Sequence, residues 1–138
     1  MAALPDEVRD LIKGVNFSAV TTLQADGRPA TQVMWIDCDD ECVLINTEIH
    51  RYKYKQAKAD PRVTVMIWEA GNPYRYVEVR GEVEEFIYGQ RARDHIDELA
   101  WKYFGRAYDP EEITSERVIM RMRPLLKSPH ARKSNSDG

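Results

Sequence analysis

The sequence predicts a mainly β fold of about six short antiparallel strands, closed or partly closed into a barrel, with two or three accessory helices. Two observations carry this. Segments rich in β-branched residues recur at short intervals and are separated by turn residues such as Asp26-Gly27 and Asp39-Asp40. Helical spacing of apolar residues, by contrast, is confined to a few segments. A chain of 138 residues with 43% hydrophobic residues suits one domain around one core.

The elements follow in order. Residues 5–14 form a short helix, with Val8, Leu11 and Ile12 on one side, Pro5 suited to its start and Gly14 to its stop. Residues 18–24 read as a strand, Asp26-Gly27 as a hairpin turn, and residues 29–37 as the return strand. Residues 41–47 are a third strand completing a meander. Its run Val43-Leu44-Ile45 suits burial on both faces. Residues 51–59 form a charged helix that Asp60-Pro61 ends, because the residue before proline avoids the helical region. Residues 62–69 and 74–87 are two more strands, the second with a bulge or bend expected at Gly81. Residues 90–104 place Ile96, Leu99, Ala100, Tyr103 and Phe104 at helical spacing, and Gly105 caps that helix. Residues 116–126 are the last strand. Residues 1–127 are expected to form the single domain, with residues 128–138 a disordered polar tail.

The charge balance, 20 basic against 23 acidic residues, gives no global attraction to nucleic acid or to an anionic membrane. Neither a membrane span nor a signal peptide is expected. Cys38 and Cys42 read as two semi-buried thiols in a reducing cytoplasm, with no metal site.

The chemistry concentrates in residues 46–63, N-T-E-I-H-R-Y-K-Y-K-Q-A-K-A-D-P-R-V. Arg51, Lys53, Lys55 and Lys58 crowd the start of a helix, where cations oppose the helix dipole. A bound anion would relieve that conflict, and a solvated charged face is the other reading. Arg51 and Lys55 share a face by their i,i+4 spacing, and Lys53 points elsewhere unless the first turn is irregular. Trp35, in the strand Gln32-Val33-Met34-Trp35-Ile36, is either a core residue or the border of a planar ligand. Asn72-Pro73-Tyr74-Arg75-Tyr76 reads as packing or as an approach to a ligand or partner subunit. No G-x-S-x-G or H-E-x-x-H motif occurs. His95 reads as lying on a surface-like helix, His130 in the tail, and His50 beside the basic cluster, within reach of a phosphate. Asp94, Asp97 and Glu98 read as a solvated face.

Four motifs in this order resemble the pyridoxamine 5'-phosphate oxidase-like split-barrel family, in its flavin/deazaflavin oxidoreductase branch. They are V-T-T-L-Q-A-D-G-R-P, V-M-W-I-D, R-Y-K ahead of D-P-R-V, and N-P-Y-R-Y-V-E-V-R-G-E-V. The resemblance implies a six-stranded antiparallel split β-barrel of the FMN-binding-protein kind. It implies a homodimer with cofactor sites at the interface, and coenzyme F420 as cofactor, with FMN as the alternative. The activity implied is hydride transfer between deazaflavin and a small unsaturated or carbonyl substrate. An FMN enzyme or a non-catalytic cofactor-binding protein is the alternative. On the same basis Arg51 and Lys53 match the family's phosphate-binding R-x-K, with Lys55 a further basic contact. Gln32, Val33, Met34 and Trp35 match the strand along the ring, and Thr47 the strand end beside the phosphate. Tyr74 and Tyr76 match an approach from the partner chain. His50, Gln56-Ala57 and Ile36 depart from the family pattern. The extra Lys55 and Lys58 match the longer anionic tail of coenzyme F420.

Overall fold

The computed structural model describes residues 3–125, so the tail expected over 128–138, with His130, lies outside the described residues. The chain runs α1 (Asp6–Lys13), β1 (Ser18–Leu23), β2 (Pro29–Met34), β3 (Asp37–Cys38), β4 (Val43–Glu48), α2 (Tyr52–Ala59), β5 (Arg62–Glu69), β6 (Asn72–Ile87) and α3 (Gln90–Phe104). A single 3-10 turn (Pro110–Glu112) and β7 (Arg117–Pro124) follow.

The strands form one seven-stranded sheet in the order β2-β1-β5-β6-β7-β4-β3, antiparallel at every pairing. β2 and β3 stand at opposite ends of that order, yet only Trp35 and Ile36 separate them in the chain. Six strand spacings would set the ends of a flat sheet about 29 Å apart. The three Cα–Cα steps from Met34 to Asp37 span at most about 11 Å. The sheet therefore curls until its ends meet, giving a barrel split between β2 and β3.

This corrects two sequence-based expectations. Among the described residues the strands number seven rather than six, and the segment 29–37 is not one strand, so residues 41–47 complete no meander: β4 pairs with β3 and β7 and not with β2. The segment 29–37 breaks at Trp35-Ile36, where side chains from α3 replace the ladder. The Ile36 N–H donates to the Tyr103 hydroxyl (3.2 Å), and its carbonyl accepts from Lys102 Nζ (2.9 Å).

The barrel is filled by Val20, Ile45, Val65, Ile67, Val79, Met120 and Met122, with Val8, Leu11 and Ile12 of α1 in the same cluster. All six residues of β4 are buried. Val43 and Ile45 join that cluster, while Leu44 packs with Ala92 of α3 and Ile119 of β7. The continuous apolar run thus has the two-sided burial it predicts. Gly27 (φ 87°) makes the β1–β2 turn, and Gly105 ends α3 in the left-handed conformation. Gly81 is not a bulge. It pairs in register with Val63 and Pro124, and the register shifts come at Trp68/Glu69 and Val83/Glu85 instead. Its need for glycine is close approach, because a Cβ there would collide with the Arg123 carbonyl oxygen and the Met122 sulfur.

Cys38 and Cys42 are both buried and free. Cys38 belongs to the core cluster, whereas the Cys42 Sγ lies 3.9 Å from Glu84 Oε2. Burial raises both thiols to about 11. No helix among the described residues is long and apolar enough to cross a membrane.

Candidate functional site

A cavity of about 610 Å³ opens where the β2–β3 break, the end of β4, the start of α2 and the loop after α3 converge. That is the size of a small-molecule site. Of the sequence-predicted residues, Val33, Met34, Trp35, Thr47, Arg51 and Lys53 all line it. Gln32 does not. It faces a smaller cavity of about 290 Å³ with Thr22, Gln24 and Gln56, and Lys53 borders both. Lys55 is exposed, with its ammonium 5.8 Å from the Tyr52 ring centroid, and lines neither cavity. Tyr74 is exposed and Tyr76 half-buried on β6, and neither borders the cavity of this single chain. His50 lies outside it too. Its Nδ1 is 2.5 Å from the Ser115 Oγ and 3.8 Å from Glu48 Oε1. Serine and carboxylate therefore address the same ring nitrogen, and a relay through the imidazole is not formed.

The pairing of Arg51 with Lys53, instead of Lys55, has a local cause. Arg51 is the residue before α2 and is extended (φ −74°, ψ 145°), so helical i,i+4 spacing does not apply to it. The first turn of α2 carries no acidic residue and no side-chain cap. Burial, then the charges of Arg51 and Arg117, hold the Lys53 pKa below its ordinary 10.5. This end of the cavity is thus a cluster of mutually repelling cations. A bound anion would relieve it.

The cavity lining is also aromatic. Trp35 stacks on Tyr103 with centroids 5.0 Å apart and planes 6° apart, and it meets Phe104 edge-on at 4.9 Å. Tyr103 is fixed in turn, donating its hydroxyl to the Asn16 carbonyl (2.5 Å) and stacking on Phe17 at 5.5 Å. Trp35 therefore stands in the gap between β2 and β3, held on an aromatic platform, and not in the middle of a strand. Val33 beside it is 66% exposed.

Sequence reasoning missed a buried polar chain behind the cationic end. His95, expected at the surface, is 0% exposed. Its Nε2–H donates to Asp37 Oδ2 (2.8 Å), and its Nδ1 accepts from Asn46 Nδ2 (3.0 Å). The Asn46 Oδ1 accepts from Arg117 Nε (2.9 Å), and Arg117 Nη1 donates to Glu48 Oε2 (3.1 Å). Glu48 Oε1 holds the backbone N–H groups of Thr114 and Ser115 at 2.8 and 2.7 Å. Asn46 and Arg117 reach the cavity wall themselves. Burial pushes the Asp37 carboxyl up, but the donors His95 and Lys13 outweigh it and hold it well below the carboxylate range. The available signal was periodicity: His95 sits among Ala92, Ile96 and Leu99 on the buried stripe of α3. Asp97, read as solvated, is half-buried and accepts the Tyr108 N–H (3.0 Å), tethering the loop that closes the cavity.

Residues 4–126 match the family model for pyridoxamine 5'-phosphate oxidase. A search of curated proteins gives no match. Among solved structures, an F420 reductase is 30% identical, with a TM-score of 0.77, over 88% of this chain and 96% of its own. A conserved hypothetical protein from Mycobacterium tuberculosis superposes with a TM-score of 0.71 at 18% identity, over 98% of this chain and 86% of its own. A pyridoxamine 5'-phosphate oxidase-related, FMN binding protein from Nostoc punctiforme gives 0.58 at 16%, over 86% and 78%. The last two likenesses are of fold.

Proposed function

The chain belongs to the pyridoxamine 5'-phosphate oxidase family, and from that premise we propose that it is an oxidoreductase holding a flavin-type cofactor, coenzyme F420, in the cavity beside Arg51. The observation that carries this reading is the pairing, within one cavity, of a cationic end (Arg51, Lys53) with the platform-mounted Trp35. Such a cavity suits a ligand with a planar head and a phosphate. The F420 reductase at 30% identity favours the deazaflavin. The FMN binding relative favours FMN as the second reading.

When bound, the cofactor supplies hydride transfer to or from an unsaturated or carbonyl substrate. The chain's own residues bind, orient and exclude water. Arg51 and Lys53 would hold the phosphate by charge-assisted hydrogen bonds, with Thr47 on the same cavity lining. Val33, Met34 and Trp35 would border the ring, and Phe17, Leu99 and Phe104 keep the lining apolar. No proton donor is assigned. A protein that only stores the cofactor would use the same contacts.

The same reading makes the protein a cytoplasmic homodimer in which Tyr74 and Tyr76 approach the partner's cofactor. It is supported by the exposed apolar and aromatic surface at Val33 (66%) and Tyr74 (60%). Sedimentation should give twice the 16.0 kDa chain mass, and a monomer at working concentration would sink this part.

The cofactor test is a titration with coenzyme F420, FMN and riboflavin, followed by fluorescence. The wild type should bind a phosphorylated cofactor more tightly than riboflavin. The pair Arg51→Ala/Lys53→Ala should lose about a hundredfold in that preference, taking about 1.5 kcal/mol for each charged hydrogen bond. Binding by the double variant equal to wild type would remove both residues from the site. Consumption of reduced cofactor with a carbonyl or enone acceptor then separates an enzyme from a carrier.

A further inference from the structure

We infer that Arg117 is a third cation gripping the ligand's anion, and that Asn46 is the positioning residue that aims it. The inference rests on the reading above that the cationic end of the cavity holds an anion.

Arg117 lies on the first position of β7, remote in sequence from the basic stretch, yet it lines the same cavity end as Arg51 and Lys53. It is 8% exposed, so a swing into solvent is closed to it. Its Nε is engaged by Asn46 and its Nη1 by Glu48, and the Tyr108 side chain lies against it as a further polar partner, with the ring 5.4 Å from the guanidinium carbon. A guanidinium carries five N–H donors in a rigid fork. Fixing its Nε edge and one terminal nitrogen fixes the direction of the others. A side chain so held needs no ordering when an anion arrives.

Asn46 sets that direction, and its own orientation is determined. Its amino group donates to the Ala92 carbonyl and to His95 Nδ1, both at 3.0 Å, which leaves Oδ1 for Arg117. A flipped amide would press oxygen against the Ala92 carbonyl and an amino group against Arg117 Nε. His95 can accept because its proton sits on Nε2, committed to Asp37 at 2.8 Å. Asp37, His95 and Asn46 therefore form a buried bracket whose last acceptor points at Arg117. Glu48 balances the Arg117 charge, and the charges of Arg51 and Arg117 both bear on Lys53, with Asp109 and Glu112 also on the cavity lining. Three cations meeting at one cavity end, one of them braced from behind, is an arrangement built for an anionic group on the ligand.

The test is a double-mutant cycle with Arg117→Lys and Asn46→Ala in the full chain. The readout is the affinity for FMN or coenzyme F420, whichever the wild type binds more tightly, relative to its phosphate-free form. Melting temperature is recorded in parallel. Lysine keeps a positive charge beside Glu48, so the fold is retained. Each single variant should reduce the preference for the phosphorylated form about tenfold. The double variant should be no worse than Arg117→Lys alone, because Asn46 acts through Arg117. If Asn46→Ala does not fold, Asn46→Ser, whose hydroxyl stops one bond short of the amide oxygen's place, replaces it. An undiminished preference in either single variant, or losses that multiply in the double, overturns the inference. If those variants match wild type while Arg51→Ala loses the preference, only this inference falls. If the wild type shows no preference for a phosphate, the proposed function falls with it.

Discussion

Replacing Glu48 with glutamine removes one charge and almost no volume, at a residue that is 1% exposed and tied both to Arg117 and to the backbone of Thr114 and Ser115. The Gln oxygen would still accept the Thr114 and Ser115 N–H groups. The new amino group, however, would face Arg117 Nη1, donor against donor, and leave a buried guanidinium without its carboxylate. Removing one partner of a buried pair costs about 3–5 kcal/mol. Arg117 keeps Asn46 Oδ1 and the Tyr108 ring, which places the expected loss at the lower end, about 3 kcal/mol. For a domain of this size that corresponds to a fall in Tm of about 12 °C.

The pH dependence tests the cause. Burial raises the Glu48 carboxyl, but the Ser115 and Thr114 N–H groups and then Arg117 outweigh it, so its pKa lies below the ordinary 4.5. A carboxyl with a depressed native pKa stabilises the fold above its unfolded value, and that contribution is lost as pH falls through the native one. Urea unfolding of wild type and Glu48→Gln should therefore show a constant gap near pH 7 that closes below about pH 4.5, once wild-type Glu48 is itself neutral. A gap under about 0.5 kcal/mol at pH 7, or one that persists unchanged into acid, would refute the assignment of Arg117 and Glu48 as a buried ion pair.

Two further outcomes follow from the packing. Gly81→Ala should destabilise by about 3 kcal/mol or abolish folding, because its Cβ meets, besides the Met122 sulfur, the Arg123 backbone, which cannot swing aside. A wild-type melting curve for this variant would contradict the β6–β7 approach. Lys102 donates to the Ile12 carbonyl (2.6 Å) and to Ile36, and burial lowers its pKa to about 8. A native pKa below the ordinary 10.5 penalises the charged form, so on this residue's account stability rises between about pH 8 and pH 10.5. Wild type should accordingly gain on Lys102→Met when unfolding is compared at pH 7.5 and pH 9.5, and a wild-type stability that falls relative to the variant over that range would be contrary.

What could be read from the sequence divides along a physical line. Features set by neighbouring residues were legible. Asp26-Gly27 needs positive φ, Gly105 ends a helix, and Val43-Leu44-Ile45 asks for burial on both faces. Features set by contacts distant in sequence were not. The segment 29–37 has the composition of one strand, and nothing local announces that Tyr103 and Lys102 will take over the Ile36 hydrogen bonds and split it. His95 carries a polar label on an apolar stripe, and its Asp37 and Asn46 partners come from other elements. Helical spacing puts Lys55 on one face with Arg51, but Arg51 stands one residue outside the helix and Lys53 lines the cavity with it instead.

The basic stretch lies between these cases, and it shows why the site was partly visible. Cations at the start of a helix conflict with its dipole, and folded sequences tolerate few such conflicts without a compensating reason. The conflict could therefore be noticed without knowing what resolves it. Only the barrel shows that Arg117, from the opposite end of the chain, adds its charge at the same place. Repulsion that would be modest on a solvated helix is sharpened there by burial of Lys53 and Arg117. The fold thus concentrates positive charge instead of dispersing it, in a cavity that a fixed indole also lines. A local violation that tertiary structure intensifies points to a ligand, because a merely tolerated one would have been left in water.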